Sequence, residues 1–167
     1  METIWIMNKT NSKVDIKAIS GFLLTLLWMG LIFFFSSQPA VESARESTLV
    51  VGGLHDLVKW LYNGRIPPSL AESILRSDHV VRKCGHVLEY AILGILVFKL
   101  VSRLGFRKRL VVSTAVCMLY AASDEIHQIF VPGRGPGVLD VLLDTAAAAA
   151  GIIIVLMIKR QLRFMRN

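Results

Sequence analysis

The stretch SDEIHQIFVPGRGPGVLDVLLD, residues 123–144, decides how the chain reads. It carries Asp124, Glu125, His127, Arg134, Asp140 and Asp144 between two apolar runs, 110–122 and 145–158. A charge at the centre of a membrane helix costs roughly 2.5–3.5 kcal/mol on insertion scales, so ionisable groups in such surroundings pair, face water or serve a function. The stretch is therefore both the joint between two helices and the first suspect for chemistry.

Outward from it, the 167 residues are 54% hydrophobic with mean hydropathy +0.57, and the apolar residues fall in blocks rather than in soluble-helix stripes. Four blocks stand out, at 18–35, 87–101, 110–123 and 138–158. Crossing the hydrocarbon takes about 20 residues, so the last three reach a workable length only with their acidic ends counted as helix. The expected fold is all-α: a polytopic membrane protein with four transmembrane helices and an extracytoplasmic amphipathic helix between the first two. The spans fall at about 18–38, 84–103, 109–129 and 138–158 of a single membrane domain, 17–158, with an N-terminal arm 1–16, an outer loop 39–83 and a basic tail 159–167. The first apolar block exceeds the roughly 7–15 residues of a signal peptide's core and is expected to be an uncleaved anchor.

Lys and Arg set the orientation. They gather in the arm (Lys9, Lys13, Lys17), in the turn between the second and third blocks (Lys99, Arg103, Arg107, Lys108, Arg109) and in the tail (Lys159, Arg160, Arg163, Arg166). The positive-inside rule places these segments and both termini in the cytoplasm, beneath the cell membrane. The net charge of +7 then reflects anchoring to anionic lipid headgroups. No basic groove interleaved with aromatics is present, so nucleic acid is excluded as a partner. Cys84 and Cys117 fall at different depths and read as packing thiols rather than a disulfide.

In the outer loop, Leu49, Val50, Leu54, Leu57, Val58 and Leu61 recur at helical spacing beside Trp60 and Tyr62, which predicts a helix lying either on lipid or on the bundle. Asn63-Gly64 and Pro67-Pro68 end it, and Ser69-x-x-Glu72 is a capping-box match for the start of the next. On that next helix Lys83, His86, Glu89 and Tyr90 share one face. On the third span Asp124 shares a face with His127 and Gln128, whereas Glu125 points about 100° away, toward the rim. The loop 131–137, rich in Gly and Pro, brings Arg134 back over the acids. Asp140 and Asp144 follow at i, i+4, and Ala147-x-x-x-Gly151 permits close helix approach.

Topology brings these elements to one level at the outer boundary. The expected pocket is lined by Lys83, His86, Glu89, Tyr90, Asp124, Glu125, His127, Gln128, Arg134, Asp140 and Asp144. Their simplest role is mutual pairing that fixes helix register, for example Arg134 with Asp140. Acids and histidines outnumber the cations, however, so the site is expected to hold protons, a metal or a ligand. His86, Glu89, Asp124 and His127 are suitable ligand types for a divalent metal, without the His-Glu-x-x-His zinc pattern. The same four residues are the candidates for acid–base catalysis. No activated Ser or Cys nucleophile is evident.

Three motifs in order, Arg82-Lys83-x-x-His86-x-x-Glu89-Tyr90, Asp124-Glu125-x-His127-Gln128-x-Phe130-x-Pro132-Gly133-Arg134 and Asp140-Val141-x-x-Asp144 with Gly151 beyond, resemble the signatures of the VanZ-like family of bacterial integral membrane proteins. The likeness spans about 78–151 and departs from the family pattern at Ala147, where glycine is frequent, and at Asp144, where many members have Asn. The resemblance implies a small helical core in the cell envelope and, through the protein that names the family, an effect on teicoplanin susceptibility. The expected function is binding of a cell-surface ligand, such as a lipid-linked wall precursor or a glycopeptide, in the outward pocket. The alternatives are a hydrolase or transferase acting on such a precursor, with His86 or His127 as base and Arg134 on phosphate, and a small transporter. Membrane lipids are partners in every case.

Overall fold

The computed structural model describes residues 2–75, 78–135 and 137–166, with side chains in those ranges other than at 2–15, 17, 46, 75, 78 and 79. Among the described residues the fold is all helical: α1 (Glu2–Ser36), α2 (Ala40–Leu61), α3 (Pro68–Leu75), α4 (Asp78–Leu100), α5 (Phe106–Gln128) and α6 (Val138–Phe164). Two segments are long and apolar enough to cross a membrane, Ala18–Ser36 and Val138–Phe164. α4 and α5 are 23 residues each, about 35 Å at 1.5 Å per residue, which is span length. Their charged residues, Asp78, Arg82, Lys83, Glu89 and Lys99 in α4 and Arg107, Lys108, Arg109, Asp124 and Glu125 in α5, keep them less apolar than the other two.

α4 is the central helix and touches α6, α1, α2 and α5. Tyr90, Leu93 and Val97 from α4 meet Cys117 and Ala121 of α5, Ala147 and Ala148 of α6 and Ile32 of α1 in the buried core. The crossing of α4 with α6 is close enough to exclude side chains at two points. A Cβ on Gly94 would lie 2.9 Å from the Cα of Ala148, and one on Gly151 would lie 2.9 Å from the Cα of Ala91, each nearer still to the carbonyl oxygen. The expected approach at Gly151 is present, and Gly94 is its unanticipated counterpart. Small residues let helices meet in this way where lipid provides no hydrophobic drive between them.

α1 is held by hydrogen bonds as well as packing. Trp28 Nε1 donates to the Glu89 carbonyl at 2.9 Å and the Tyr120 hydroxyl donates to the Met29 carbonyl at 2.6 Å, tying α1 to α4 and α5. The polar arm is continuous with this helix, which starts at Glu2. Elsewhere α1 exposes Phe22, Leu23, Leu27 and Phe34, part of an apolar exterior suited to lipid.

α2 packs on α4 through a face other than its apolar stripe. Ser47 and Val51 are buried, whereas Leu49, Leu57, Trp60 and Leu61 of the apolar pattern are exposed. Asn63 and Gly64 take positive φ after it, as the turn requires. α3 then starts at Pro68, with the Pro67 carbonyl accepting from Leu70 and Ala71, so Ser69 lies inside the first turn and is not the cap. Whether α3 runs on into α4 depends on Arg76 and Ser77, outside the described residues. Cys117 is in the core and Cys84 is exposed, so only the first is a packing thiol; both are free.

Candidate functional site

The ends of α5 and α6 are joined by a loop whose conformation the sequence dictates. Val131-Pro132-Gly133-Arg134 closes with the Arg134 N–H donating to the Val131 carbonyl at 3.1 Å, and Gly133 has φ +76°. Proline second and a positive-φ glycine third are the residues a type II turn selects. A Cβ on Gly133 would meet the Ala40 Cβ at 3.0 Å, so the turn rests on the start of α2. Ala40 is fixed from both sides: its N–H donates to the Pro132 carbonyl at 3.1 Å, and its carbonyl accepts from Arg82 Nη1 at 3.4 Å.

Beneath this turn is a cavity of about 160 Å³ lined by residues from α2, α4, α5, α6 and the loop. Of the expected site residues, Lys83, His86, Glu125, Gln128, Arg134, Asp140 and Asp144 line it, and Arg82 joins them. A second recess of about 190 Å³ adjoins it, sharing Arg82, His86 and Arg134, and adds Glu89, Phe35, Ser43, Ser47, Val50, Val81 and Gly85. Tyr90, Asp124 and His127 line neither recess.

Each of those three has a physical reason. Tyr90 is fully buried in the core, its ring 6.2 Å from that of Tyr120. His127 lays its ring against Phe33, centroids 4.3 Å apart. Asp124 is buried behind the cavity wall, where Gln128 Nε2 donates to it at 3.2 Å and to the Ser36 hydroxyl at 2.8 Å. The sequence put Asp124 inward and Glu125 at the rim; both are buried. The returning loop covers Glu125, whose Oε2 accepts from the Gly137 N–H at 2.7 Å.

Lys83 is paired with an acid, Asp140, so the expected partner of Arg134 is taken. Arg134 instead donates from Nε to the Gln38 carbonyl at 3.2 Å and from Nη2 to the Phe35 carbonyl at 3.4 Å, satisfying acceptors at the end of α1. Burial first, then neighbouring Arg82, holds the Arg134 guanidinium below its ordinary pKa, with Asp124, Glu125 and Glu89 opposing. It remains cationic, as a guanidinium does in proteins.

The most consequential atoms are those left over. His86 Nδ1 and Asp144 Oδ1 are buried without a hydrogen-bond partner, and His86 Nδ1 lies 3.9 Å from Asp144 Oδ2, too far for a bond. Tyr90 Oη, Asp124 Oδ1 and His127 Nε2 are in the same condition deeper in the bundle. An unsatisfied buried polar atom costs about 1–3 kcal/mol, so such groups normally meet water or a ligand. The cavity is therefore a recess with donors on one wall and an unfilled carboxylate oxygen on another.

The expected metal set is not assembled. Among the described residues no group of three or more His, Cys, Asp and Glu is placed to hold an ion. Of the four candidates, His86 lines both recesses, Glu89 only the second, and Asp124 and His127 neither. For nucleophilic chemistry, neither cysteine lines a recess, and the Ser47 hydroxyl is engaged with the Ser43 carbonyl of its own helix at 2.9 Å. Arg82, quoted above only as the start of a motif, and Ser36 and Ala40 were not among the expected pocket residues. Arg82 lies one turn before His86 and was legible from that spacing; the other two had no local signal.

No curated protein and no solved structure matches the chain. A family model described as VanZ/LLP1 matches residues 22–159, which include every helix that builds the cavity. Two membrane-length apolar helices and this match mark a membrane protein, and the chain belongs to the VanZ/LLP1 family.

Proposed function

We propose that the chain is a four-span envelope protein whose outward-facing recess binds a lipid or lipid-linked ligand of the cell surface. In this reading α1, α4, α5 and α6 cross the membrane, and the arm 1–16 and tail 159–167 lie in the cytoplasm. The basic residues at the end of α4, the start of α5 and the end of α6 support that orientation, since all three belong to the end of the bundle away from the cavity. The observation that carries the binding reading is the pair of unpartnered atoms, His86 Nδ1 and Asp144 Oδ1, on residues that line a recess built from five segments. A glycopeptide is far too large for either recess, so an influence on teicoplanin susceptibility would run through the envelope rather than through capture of the drug.

The test is binding by the purified chain of envelope phospholipids and of a polyprenyl-linked wall precursor, with Asp140→Asn and Asp144→Asn as variants. Retention by the wild type and loss in the variants supports the reading. An absence of binding in the wild type defeats it.

One geometric fact favours a second reading, a hydrolase or transferase on such a ligand. His86 faces Asp144 across 3.9 Å in the cavity, a gap that closure on a substrate could shorten into a base with its orienting carboxylate. Turnover abolished by His86→Ala, with binding intact, separates an enzyme from a binder. For a transporter, charged groups should continue through the bilayer; here the cavity lies at one end of the bundle.

A further inference from the structure

The two recesses differ in enclosure, and the difference points to the class of ligand. The first is the more closed chamber, with Lys83, Glu125, Asp140 and Asp144 on its walls. The second is open on the outer side, between the end of α1 and α2, where Phe35 is 45% and Val50 58% exposed. Arg82 and Arg134 stand between them, lining both. Both are cationic guanidiniums, and Arg134 also holds the Gln38 and Phe35 carbonyls.

Resting on the binding reading above, we propose that the ligand is a phospholipid whose small headgroup carries an N–H or O–H donor. It enters sideways between α1 and α2. Its phosphate rests by Arg82 and Arg134, its glycerol and chains leave past Phe35 and Val50, and its donor reaches the chamber, where Asp144 Oδ1 accepts. The sizes agree: a chamber of about 160 Å³ takes an ethanolamine or glycerol group and is too small for a sugar-peptide headgroup. The polarity agrees as well, because Asp144 is 2% exposed, ends in an unpartnered acceptor and faces His86 rather than a fixed cation.

The experiment uses the full chain in phosphatidylcholine nanodiscs, with added phosphatidylethanolamine, phosphatidylglycerol or soluble glycerophosphoethanolamine, and retained ligand measured by native mass spectrometry. Both donor-bearing lipids should be held several-fold more tightly than phosphatidylcholine, whose quaternary amine has no N–H, as loss of one hydrogen bond implies. Asp144→Asn should narrow that preference several-fold. Val50→Trp, an exposed position where folding is spared, should reduce lipid retention and leave the soluble compound unaffected.

Equal retention of phosphatidylcholine overturns the role of Asp144 as acceptor, and an inert Val50→Trp overturns the sideways path. Soluble glycerophosphoethanolamine bound as tightly as the lipid overturns the amphiphile while leaving a ligand-binding recess. If the wild type retains nothing in any arm, the binding reading falls with it.

Discussion

Replacing Gly151 or Gly94 by alanine tests whether the α4/α6 crossing holds the cavity together. At each site the added Cβ would lie 2.9 Å from a backbone Cα of the facing helix, Ala91 or Ala148. Carbon atoms are comfortable at about 3.5–4.0 Å, so the helices must part by roughly 0.5–1 Å, a gap that forfeits a quarter to a half of the dispersion attraction along the seam. Backbone cannot rotate away as a flexible side chain would. Overpacking of this kind costs about 1–3 kcal/mol, against a gain of about 0.5–1 kcal/mol from replacing glycine in a helix. Each single variant should therefore lose up to about 2 kcal/mol. The pair should lose less than the sum, because helices already separated for one Cβ have room for the second. Reversible unfolding in mixed micelles measures this, with Gly21→Ala as control, since nothing lies within 4 Å of a Cβ there. If Gly94→Ala behaves like Gly21→Ala, or the double variant is strictly additive, the proposed seam does not limit stability.

The ion pair of Lys83 with Asp140 is part-exposed, 40% and 31% by side chain, so a double-mutant cycle with alanine should give a coupling no larger than about 1 kcal/mol. Arg134→Lys should fail to restore what Arg134→Ala removes, because one ammonium cannot reproduce two guanidinium bonds to the Gln38 and Phe35 carbonyls; faster proteolytic cleavage of the 129–137 loop in both variants is the readout. In intact cells an impermeant maleimide should label Cys84 and spare Cys117; labelling of Cys84 only after permeabilisation would reverse the proposed orientation.

Much of the helical order was legible because blocks of apolar residues and glycine-proline punctuation are local signals. The convergence of Lys83, His86, Gln128, Arg134, Asp140 and Asp144 followed from helix order alone, since alternate helices bring their ends to one level. What could not be read was rotation about each axis and the partner of each charge. A one-position difference in facing separates Glu125, on the cavity, from Asp124 behind it, and the fold-back that buries Glu125 depends on the Gly137 N–H, not on its own neighbours. Arg134 was assigned to an acid because opposite charges attract, but the exposed acceptors ending α1 are nearer. For α2 the sequence left two placements open, on lipid or on the bundle, because periodicity gives an apolar stripe but not what covers it; the packed face carries Ser47 and Val51, and the stripe is exposed.

The double anchoring of Ala40 makes the roof and the side wall of the recess one moving part. Its amide grips the Pro132 carbonyl and its carbonyl is gripped by Arg82, so α2 cannot swing outward without releasing the loop or dragging a guanidinium with it. Displacing the side wall would therefore disturb the roof as well, and neither can be mutated at Ala40 without touching the other.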